Sequence, residues 1–375
     1  MDTRSSIEDF FSDVTEPRDS NKRHKLIDVI TIALCAVICG ADTWEEIEEF
    51  GHAKIAWFET FLELPHGIPA HDTFARIFAA MDPKEFQKAF WGWVKSIQST
   101  TKGIVAVDGK TLRRSHGRDT SPIHMVSAWA LDNRMVLGQV KTREKSNEIT
   151  AIPELLKLLE IEGCIVTIDA MGCQKQIVST IVDKGADYLL GLKGNQGALH
   201  EDVAFFFQDC LASGFKDVTY DYHETVDGDH GRIETRRYWT TFDVDWLSGK
   251  ENWKNLSAIV MTRRECLRDG KLTIETHYYI TSLTSDARKI AEAVRGHWGI
   301  ENSLHWVLDI AFREDESRIR KDHAPANFAT LRHMALNLLR RETSKRRSIK
   351  TKRLRAGWDM EYLGKILEGP AYEGA

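Results

Sequence analysis

The chain has 375 residues, of which 42% are hydrophobic and 29% are charged, and this is the composition of a globular protein with two or three domains. Its longest apolar run, residues 26–41, is short for a membrane span and contains Asp28, so we predict a buried helix there and no membrane partner. The formal net charge of −5 argues weakly against nucleic acid, but the segment from Arg340 to Arg355 holds nine Lys or Arg and one Glu.

The first 98 residues have a helical pattern throughout. Apolar residues recur at helical spacing in five segments, which Gly or Pro separates from one another. The N-terminus carries no basic stretch that leads into an apolar one, so we predict no secretion signal. Short helices with tight turns occur in DNA-binding modules and in other small bundles, and the pattern fits both. We therefore predict a helical domain over residues 1–98 that could bind DNA.

From about residue 103 the pattern changes to alternating strands and helices. An apolar run ends in Asp108, two strands and a helix follow, and a buried strand then ends in Asp169 before another helix and strand. The order β-β-β-α-β-α-β predicts a mixed α/β sheet with flanking helices. A β-rich insertion follows at about 200–285, and a helix over 285–312 contains Glu301.

These changes of pattern set the predicted domain boundaries. The mixed α/β domain covers residues 99–345, and a basic C-terminal segment covers 346–375. The basic run that crosses this boundary fits either a phosphate-binding strip or a solvated helix end. The six cysteines form no CxxC pair, which indicates reduced thiols in a cytoplasmic protein.

Asp108 and Asp169 each follow a strongly apolar strand. If these strands are parallel neighbours, both carboxylates emerge at one edge of the sheet, where such sheets place their functional sites. Adjacent anions repel each other unless one is protonated or a cation lies between them. Either aspartate taken alone is explained more simply as a strand-end turn residue or a helix cap.

Glu301 lies in the middle of an apolar helical segment. On a straight α-helix it falls within about 20° of an apolar stripe. Burying an unpaired carboxylate costs several kcal/mol, so we expect Glu301 to complete a cluster with the two aspartates. Three carboxylates suit a hard cation such as Mg²⁺ or Mn²⁺, and paired ions serve phosphodiester chemistry. The stripe consists of Ile290, Val294, Leu308 and Phe312.

A zinc site is the alternative for this segment. His297, Glu301 and His305 are spaced at i, i+4 and i+8 along one helical ridge. Zinc would still need a fourth ligand or a water, and it would leave both aspartates unexplained. We therefore prefer Mg²⁺ or Mn²⁺ and expect the histidines to form hydrogen bonds near the site or to contact phosphate.

Several long motifs occur in a fixed order along the chain. They are VAVDGKTLRRS (105–115), VKTREKSNEITAIPELL (140–156), VTIDAMGCQ (166–174), YLLGLKGNQ (188–196), HGRIETR (230–236) and RGHWGIENSLHWVLDIAFRED (295–315). Together these motifs resemble the DDE transposases of bacterial insertion sequences, and the resemblance covers nearly the whole chain. The branch that the chain resembles most is that of the H-repeat-associated proteins found with Rhs elements. The N-terminal helical region is similar to the transposase-associated domain of this family.

The resemblance implies a ribonuclease-H-like fold for the catalytic domain, with the first acid after the first strand, the second after the fourth and the third on a later helix. By motif, the implied catalytic and metal-binding residues are Asp108, Asp169 and Glu301, which would hold two Mg²⁺ or Mn²⁺ ions. The implied partner is double-stranded DNA, both element ends and target, and two ends suggest a homodimer. A cytoplasmic, nucleoid-associated protein is expected.

The chain departs from the wider family around the third acid. Many relatives there carry a Tyr, Arg, Glu, Lys signature, whereas this chain has Val294, His297, Glu301 and Leu308 at that spacing. The H-repeat branch typically has this histidine form. The glutamate is therefore carried over, but the roles of the tyrosine and the lysine at the DNA backbone are not.

Basic residues near the strand ends are candidates for contacts with DNA phosphates, with solvated surface charge as the alternative for each. For Trp298 and Trp306 we expect packing in the core, with stacking on an exposed base as the alternative. The DNA-binding candidates are Lys110, Arg113, Arg114, Lys141, Arg143, Lys145, Lys193, Arg232, Arg236, Arg237 and His297.

The predicted function is metal-dependent cleavage of DNA at element ends, followed by strand transfer to target DNA. The first alternative is a DNA-binding relic of a transposase that does not catalyse transposition. The second is a metal-dependent nuclease that cuts DNA without strand transfer.

Overall fold

The computed structural model describes residues 3–19, 22–97, 100–116, 121–142, 148–229 and 231–368. The nine strands of these residues are β1 (Ile104–Thr111), β2 (His124–Ala130), β3 (Met135–Thr142), β4 (Ile165–Ile168), β5 (Asp187–Leu192), β6 (Asp221–Asp229), β7 (Arg232–Thr241), β8 (Ala258–Arg268) and β9 (Lys271–Thr281).

The same residues form fourteen α-helices, and a π-helical turn (Glu301–His305) joins the tenth helix to the eleventh. The helices are α1 (Thr3–Phe11), α2 (Leu26–Ile38), α3 (Trp44–Ala53), α4 (Ile55–Phe58), α5 (His71–Ala80), α6 (Pro83–Ile97), α7 (Glu148–Leu158), α8 (Lys175–Asp183), α9 (Gly197–Ser213), α10 (Ala287–Ile300), α11 (Trp306–Phe312), α12 (Ala324–Arg341), α13 (Ile349–Trp358) and α14 (Met360–Glu368).

All nine strands belong to one sheet, in the order β3-β2-β1-β4-β5-β9-β8-β7-β6. Strands β1, β4 and β5 run parallel, and the other neighbours pair antiparallel. The five strands at the β3 end, three in antiparallel succession followed by two parallel ones, have the ribonuclease-H-like arrangement. The predicted α/β fold class is therefore confirmed. Strands β6–β9, which lie in the predicted insertion at about 200–285, continue this sheet because β9 pairs with β5.

Strands β1 and β4 are parallel neighbours, as the sequence analysis required for a shared site. Their pairing runs to Val107 opposite Ile168, so Asp108 and Asp169 are the next residues of the two strands. The run ending at Val107 is buried because parallel strands are covered on both faces. β1 itself continues to Thr111 through its pairing with β2. Asp108 therefore ends the parallel pairing and not the strand.

Helix α12 joins the N-terminal helices to the sheet. It buries every residue from Ala324 to Leu339 and packs against α2, α5, α6 and β3. Its buried amides have partners on both sides: Nδ2 of Asn327 donates to the carbonyl oxygens of Phe78 and Met81, while Asn337 bonds both backbone groups of Val136 at 2.9 Å. β3 is an outer strand of the sheet, and Asn337 supplies Val136 with the hydrogen-bond partners that a further strand would offer.

Helix α10 packs closely against the start of β1. A Cβ atom added at Gly296 would lie 2.7 Å from Cδ1 of Ile104, and one added at Gly299 would lie 2.3 Å from Cδ1 of Leu131. The two glycines therefore bring α10 close to the sheet, although glycine lowers helix stability by about 1 kcal/mol. Among the described residues, no helix combines the length and the apolar character needed to cross a membrane.

The variant Asn337→Leu should lower the free energy of unfolding by about 2–5 kcal/mol, because it leaves the buried N–H and carbonyl groups of Val136 without partners. Urea unfolding followed by circular dichroism measures this change. As a control, Asn302→Leu replaces an exposed asparagine and should change stability by about 0.5 kcal/mol or less. Equal stability of the two variants would contradict the role given to Asn337.

Candidate active site

Asp108 lies on β1 where its pairing with β4 ends, and Asp169 follows β4; the two aspartates have different surroundings. The side chain of Asp108 is 26% exposed, whereas Asp169 is an exposed residue. Oδ1 of Asp169 accepts hydrogen bonds from the backbone N–H groups of Met171 at 3.0 Å and Gly172 at 3.3 Å. Asp169 therefore caps the short turn after β4, the role that the sequence also allowed, and its other carboxylate oxygen remains available for a ligand.

The segment that carries Glu301 is not one straight helix. Its α-helical part ends at Ile300, and the π-helical turn that begins with Glu301 places about one extra residue in the turn. The buried stripe of α10 packs on the sheet through Ile290 and Val294, whereas the side chain of Glu301 is 58% exposed. The helix predicted over 285–312 is therefore present from Ala287 to Phe312, but a π-helical turn interrupts its regular spacing. The expectation that Glu301 lies at the centre of the buried face was wrong.

Two basic side chains hold this π-helical turn. Nη2 of Arg340 donates to the carbonyl oxygen of Ser303, and the guanidinium stacks 4.8 Å from the ring centre of Trp129. On the other side, Nζ of Lys110 lies 3.5 Å from the carbonyl oxygen of His305. Contacts of this kind matter because a π-helical turn does not repeat the hydrogen-bond pattern of its neighbours.

Asp108, Glu301 and His305 form one cluster, in which one ligand atom from each residue lies within 4.8 Å of the other two. Nδ1 of His305 is 2.6 Å from Oε2 of Glu301 and 3.6 Å from Oδ2 of Asp108. The side chain of His305 is only 7% exposed. Two carboxylates and an imidazole nitrogen form a donor set that suits Mn²⁺ and other divalent cations. Asp169, on the adjacent strand, is not part of this cluster.

The cluster and its surroundings hold more acidic groups than basic ones. Burial raises the pKa of Asp108 to about 6, and the nearby anions Asp169 and Glu301 add to this effect against the opposing influence of His305. The contact with His305 lowers the pKa of Glu301. A raised carboxyl pKa between two further acids is what a bound cation would reverse, so these residues fit a divalent metal ion.

His297 lies beside the cluster and faces β4. Its Nδ1 is 3.2 Å from Oγ1 of Thr167, and burial lowers the pKa of this histidine. A neutral imidazole bonded to the sheet does not present a cation to DNA. Among the described residues, His297 is not in the group that could hold a metal ion, so the i, i+4, i+8 zinc pattern does not form.

The basic candidates near the end of β1 differ in how much charge they present. Lys110 is 12% exposed and is paired with Asp309 and Glu314. Arg113 is 79% exposed, with Nε 3.2 Å from Asp315, and Arg114 is exposed. The structure therefore leaves two arginines on the surface and encloses the lysine.

The other basic candidates lie farther along the sheet. Lys193 is exposed just after β5, and Lys141 lies on β3. Arg143 and Lys145 lie outside the described residues. Arg237 lies on β7, with Nε 2.6 Å from Oε2 of Glu224.

Arg232 and Arg236 lie on β7 and surround a buried acid, Glu234. Arg236 pairs with Glu234 and with Asp227, the latter at 2.6 Å, and Arg232 is 48% exposed. These arginines line a cavity of about 780 Å³ between strands β7–β9 and helix α10. The cavity also includes Trp298, which is adjacent to the π-helical turn. The cavity therefore lies beside the helical segment that carries Glu301.

Two tryptophans of this segment are not in the core. Trp298 is 60% exposed and Trp306 is 61% exposed, so the expected core packing was wrong. Trp298 lies on α10 before the π-helical turn and Trp306 begins α11 after it, so the segment leaves aromatic side chains facing solvent on both sides of the turn.

The C-terminal basic run is partly structural. Arg353 is buried and bonds the carbonyl oxygen of Val37 at 2.8 Å and Oδ1 of Asp42 at 3.1 Å. Lys352 is also buried and bonds the carbonyl oxygen of Leu339 at 2.8 Å. Other members of the run are on the surface, so neither predicted description fits the whole run. The exposed members include Lys345, Arg346, Arg347 and Lys350.

Comparisons with known proteins agree with the fold and with the resemblance. The family described as "Transposase DDE domain" matches residues 99–338, and the one described as "DDE_Tnp_1-associated" matches residues 8–94. The chain is 42% identical over 370 residues to "Putative transposase YncI" of Escherichia coli O157:H7, covering 96% of this chain and 94% of that protein. It is 38% identical over 355 residues to "H repeat-associated putative transposase YhhI" of Escherichia coli strain K12, with 92% and 93% covered.

A solved structure, the cryo-EM structure of the piggyBac transposase synaptic complex with hairpin DNA, has a TM-score of 0.44 and 9% identity to this chain. The match covers 99% of this chain and 79% of that one. The family matches and the two full-length relatives, taken with the sheet order, establish that the chain belongs to the DDE transposase family and to its H-repeat-associated branch.

Proposed function

We propose that this protein cleaves DNA at the ends of an insertion-sequence-like element and transfers the cut ends to target DNA. The observation that carries the proposal is the meeting of Asp108 and Glu301 in one cluster, with Asp169 in the next register position of the adjacent parallel strand. Three acids from distant parts of the chain have no structural need to meet at a sheet edge. The family to which the chain belongs supports the same function.

The metal ligands in this proposal are Asp108, Glu301 and His305, with Asp169 available for a second ion. Mg²⁺ or Mn²⁺ suits the carboxylates, and the imidazole favours Mn²⁺. A bound divalent ion supplies positive charge that stabilises the attacking and leaving oxygens of a phosphodiester. Asp108 must lose its proton for this, whereas the pKa of Glu301 is already lowered. Nδ1 of His305, which contacts Glu301 in this structure, would exchange that contact for the ion.

The reaction would consist of two in-line displacements at phosphorus. Water is the nucleophile in the first, which releases a 3′-hydroxyl at the element end. This hydroxyl is the nucleophile in the second, which breaks a phosphodiester of the target DNA, joins the element end to the resulting 5′-phosphate and releases a target 3′-hydroxyl. No covalent protein intermediate is involved. The chain's part is to hold the phosphodiester at the sheet edge, and a homodimer would hold both element ends.

Exposed Arg113 and Arg114 are the proposed phosphate contacts nearest to the acids, because they follow β1 within six residues of Asp108. Lys193 and Arg232 are proposed contacts farther along the same sheet, and Arg236 lines the cavity beside Trp298. His297 would act by hydrogen bonding and not by charge.

The variant Asp108→Asn should reduce end cleavage on the order of 10³-fold, since it removes an anionic ligand, while DNA binding persists. Cleavage of a labelled element end with Mg²⁺ or Mn²⁺ measures the loss, and Asp209→Asn, an exposed site on α9, is the matched control. Normal cutting by the Asp108 variant would refute the proposal. If the unchanged protein binds element ends but does not cut them, it is a DNA-binding relic. If it cuts DNA but no product joined to target DNA forms, it is a nuclease.

The affinity for Mn²⁺ should fall about tenfold per pH unit below pH 6. The pKa of Asp108 is raised to about 6, so below that pH a proton occupies the carboxyl and competes with the cation. Calorimetric titration with Mn²⁺ between pH 5 and pH 8 tests this expectation. The pH dependence should become weaker in Asp108→Asn, because a proton on that carboxyl no longer competes with the cation, and an affinity in the unchanged protein that is constant down to pH 5 would count against the site.

The variants Arg113→Gln and Arg114→Gln should each reduce the slope of log affinity for DNA against log salt concentration by about 1, because each removes one phosphate contact. Filter binding at several salt concentrations gives the slope. Lys216→Gln is the control, since this lysine is exposed in the turn after α9 and is not among the proposed phosphate contacts. Equal slopes in all three variants would exclude the proposed contact.

A further inference from the structure

Lys110 occupies an unusual position beside the acidic cluster. It follows Asp108 by two residues on β1, so both side chains point to the same face of the sheet. Its ammonium group donates to the carboxylate of Asp309 and to Oε2 of Glu314 at 3.0 Å, and it lies 3.5 Å from the carbonyl oxygen of His305. An ammonium group has three donors, and these three acceptors account for them.

The partners of Lys110 connect the strand to the segment that carries the third acid. Asp309 lies on α11, four residues after His305 and eight after Glu301. Strand β1 and the helical segment that carries Glu301 therefore contact each other at two positions along their lengths. Asp108 faces His305 at 3.6 Å, and Lys110 pairs with Asp309 at the next position of each element.

The other partner of Lys110 is fixed from behind. The side chain of Glu314 is 2% exposed and lies 3.8 Å from Nη1 of Arg332 on α12. The guanidinium of Arg332 is 4.4 Å from the ring centre of Phe328. Lys110 is thus attached through Glu314 to the helix that forms the centre of the molecule.

These surroundings are unsuitable for a phosphate. The side chain of Lys110 is 12% exposed, and a DNA phosphate that reached it would have to displace Asp309 or Glu314. The three acceptors around the ammonium group leave it no donor for a phosphate. The phosphate would also approach Asp108 and two further carboxylates, and like charges repel.

We propose that Lys110 is a positioning residue, which holds the segment bearing Glu301 and His305 against the strand bearing Asp108, and not a DNA contact. This inference rests on the proposed function for the purpose of the site, but its geometry does not depend on strand transfer. Lys110 fixes one side of the π-helical turn and Arg340 fixes the other. Without Lys110, Asp309 would lose its ion pair beside the cluster, and Glu314 would keep only the longer contact with Arg332.

The test measures metal affinity and DNA affinity separately in the full chain. Lys110→Met should weaken Mn²⁺ binding by about 10- to 100-fold, the usual effect of losing an outer partner of a metal site. Its affinity for DNA and the salt slope of that affinity should match the unchanged protein. Lys110→Arg should recover most of the Mn²⁺ affinity. Arg114→Gln is the matched control, with the opposite pattern of unchanged Mn²⁺ binding and a smaller salt slope.

A second variant keeps the inference testable if Lys110→Met does not fold. Asp309→Asn leaves the lysine in place and should also weaken Mn²⁺ binding without a change in salt slope. The double variant should lose little more affinity than either single one, because both act through the same contact. A reduced salt slope with intact Mn²⁺ affinity in Lys110→Met would overturn the inference. If the unchanged protein binds Mn²⁺ but does not cut DNA, the proposed function fails and the inference about Lys110 stands.

Discussion

Repulsion between carboxylates is the constraint around which this protein is arranged. The parallel pairing of β1 and β4 places Asp108 and Asp169 side by side, just beyond the last paired residues of the two strands. The π-helical turn after α10 adds Glu301. Burial raises the pKa of Asp108 to about 6, and the neighbouring anions Asp169 and Glu301 add to the rise. The contacts nearest to the cluster reduce this repulsion: the imidazole of His305 contacts two of the acids, and Lys110 pairs with Asp309 and Glu314 just behind them.

The irregular turn at Glu301 is the second feature on which the site depends. Helix α10 packs on the sheet through its buried stripe and ends at Ile300, and the π-helical turn that follows begins with the exposed acid. The extra residue of the turn changes the phase of the residues after it, among them His305 and helix α11. The close approach at Gly296 and Gly299 places this turn near the strand ends. Two cationic side chains from other elements then fix its carbonyl groups.

The sequence was informative wherever function depended on regular spacing. Apolar runs followed by Asp108 and Asp169 predicted two buried strands, and the order of elements predicted the fold class, because strand burial and helix periodicity are local properties. The parallel pairing of the two strands was only a condition for a shared site. The sequence was uninformative about the π-helical turn, since no residue pattern marks one, and it does not show whether an aromatic residue such as Trp298 packs in the core or faces solvent. As a ligand, His305 was considered only for a zinc site, which was set aside, and it was not predicted as a ligand beside Asp108. The enclosure of Lys110 depends on acids about 200 residues away, and a basic residue after a catalytic strand looks the same in sequence whether it faces DNA or protein.

Helix α12 has a consequence for how DNA would be handled. Because it is buried along nearly its whole length and bonded to α5 at one end and to β3 at the other, the N-terminal helices and the sheet share one core. Such a core is close-packed and deforms little. Any DNA held by the N-terminal helices would lie at a constant distance and angle from the acidic cluster. The rigid core of the protein would then fix the number of base pairs between the bound sequence and the position of the cut.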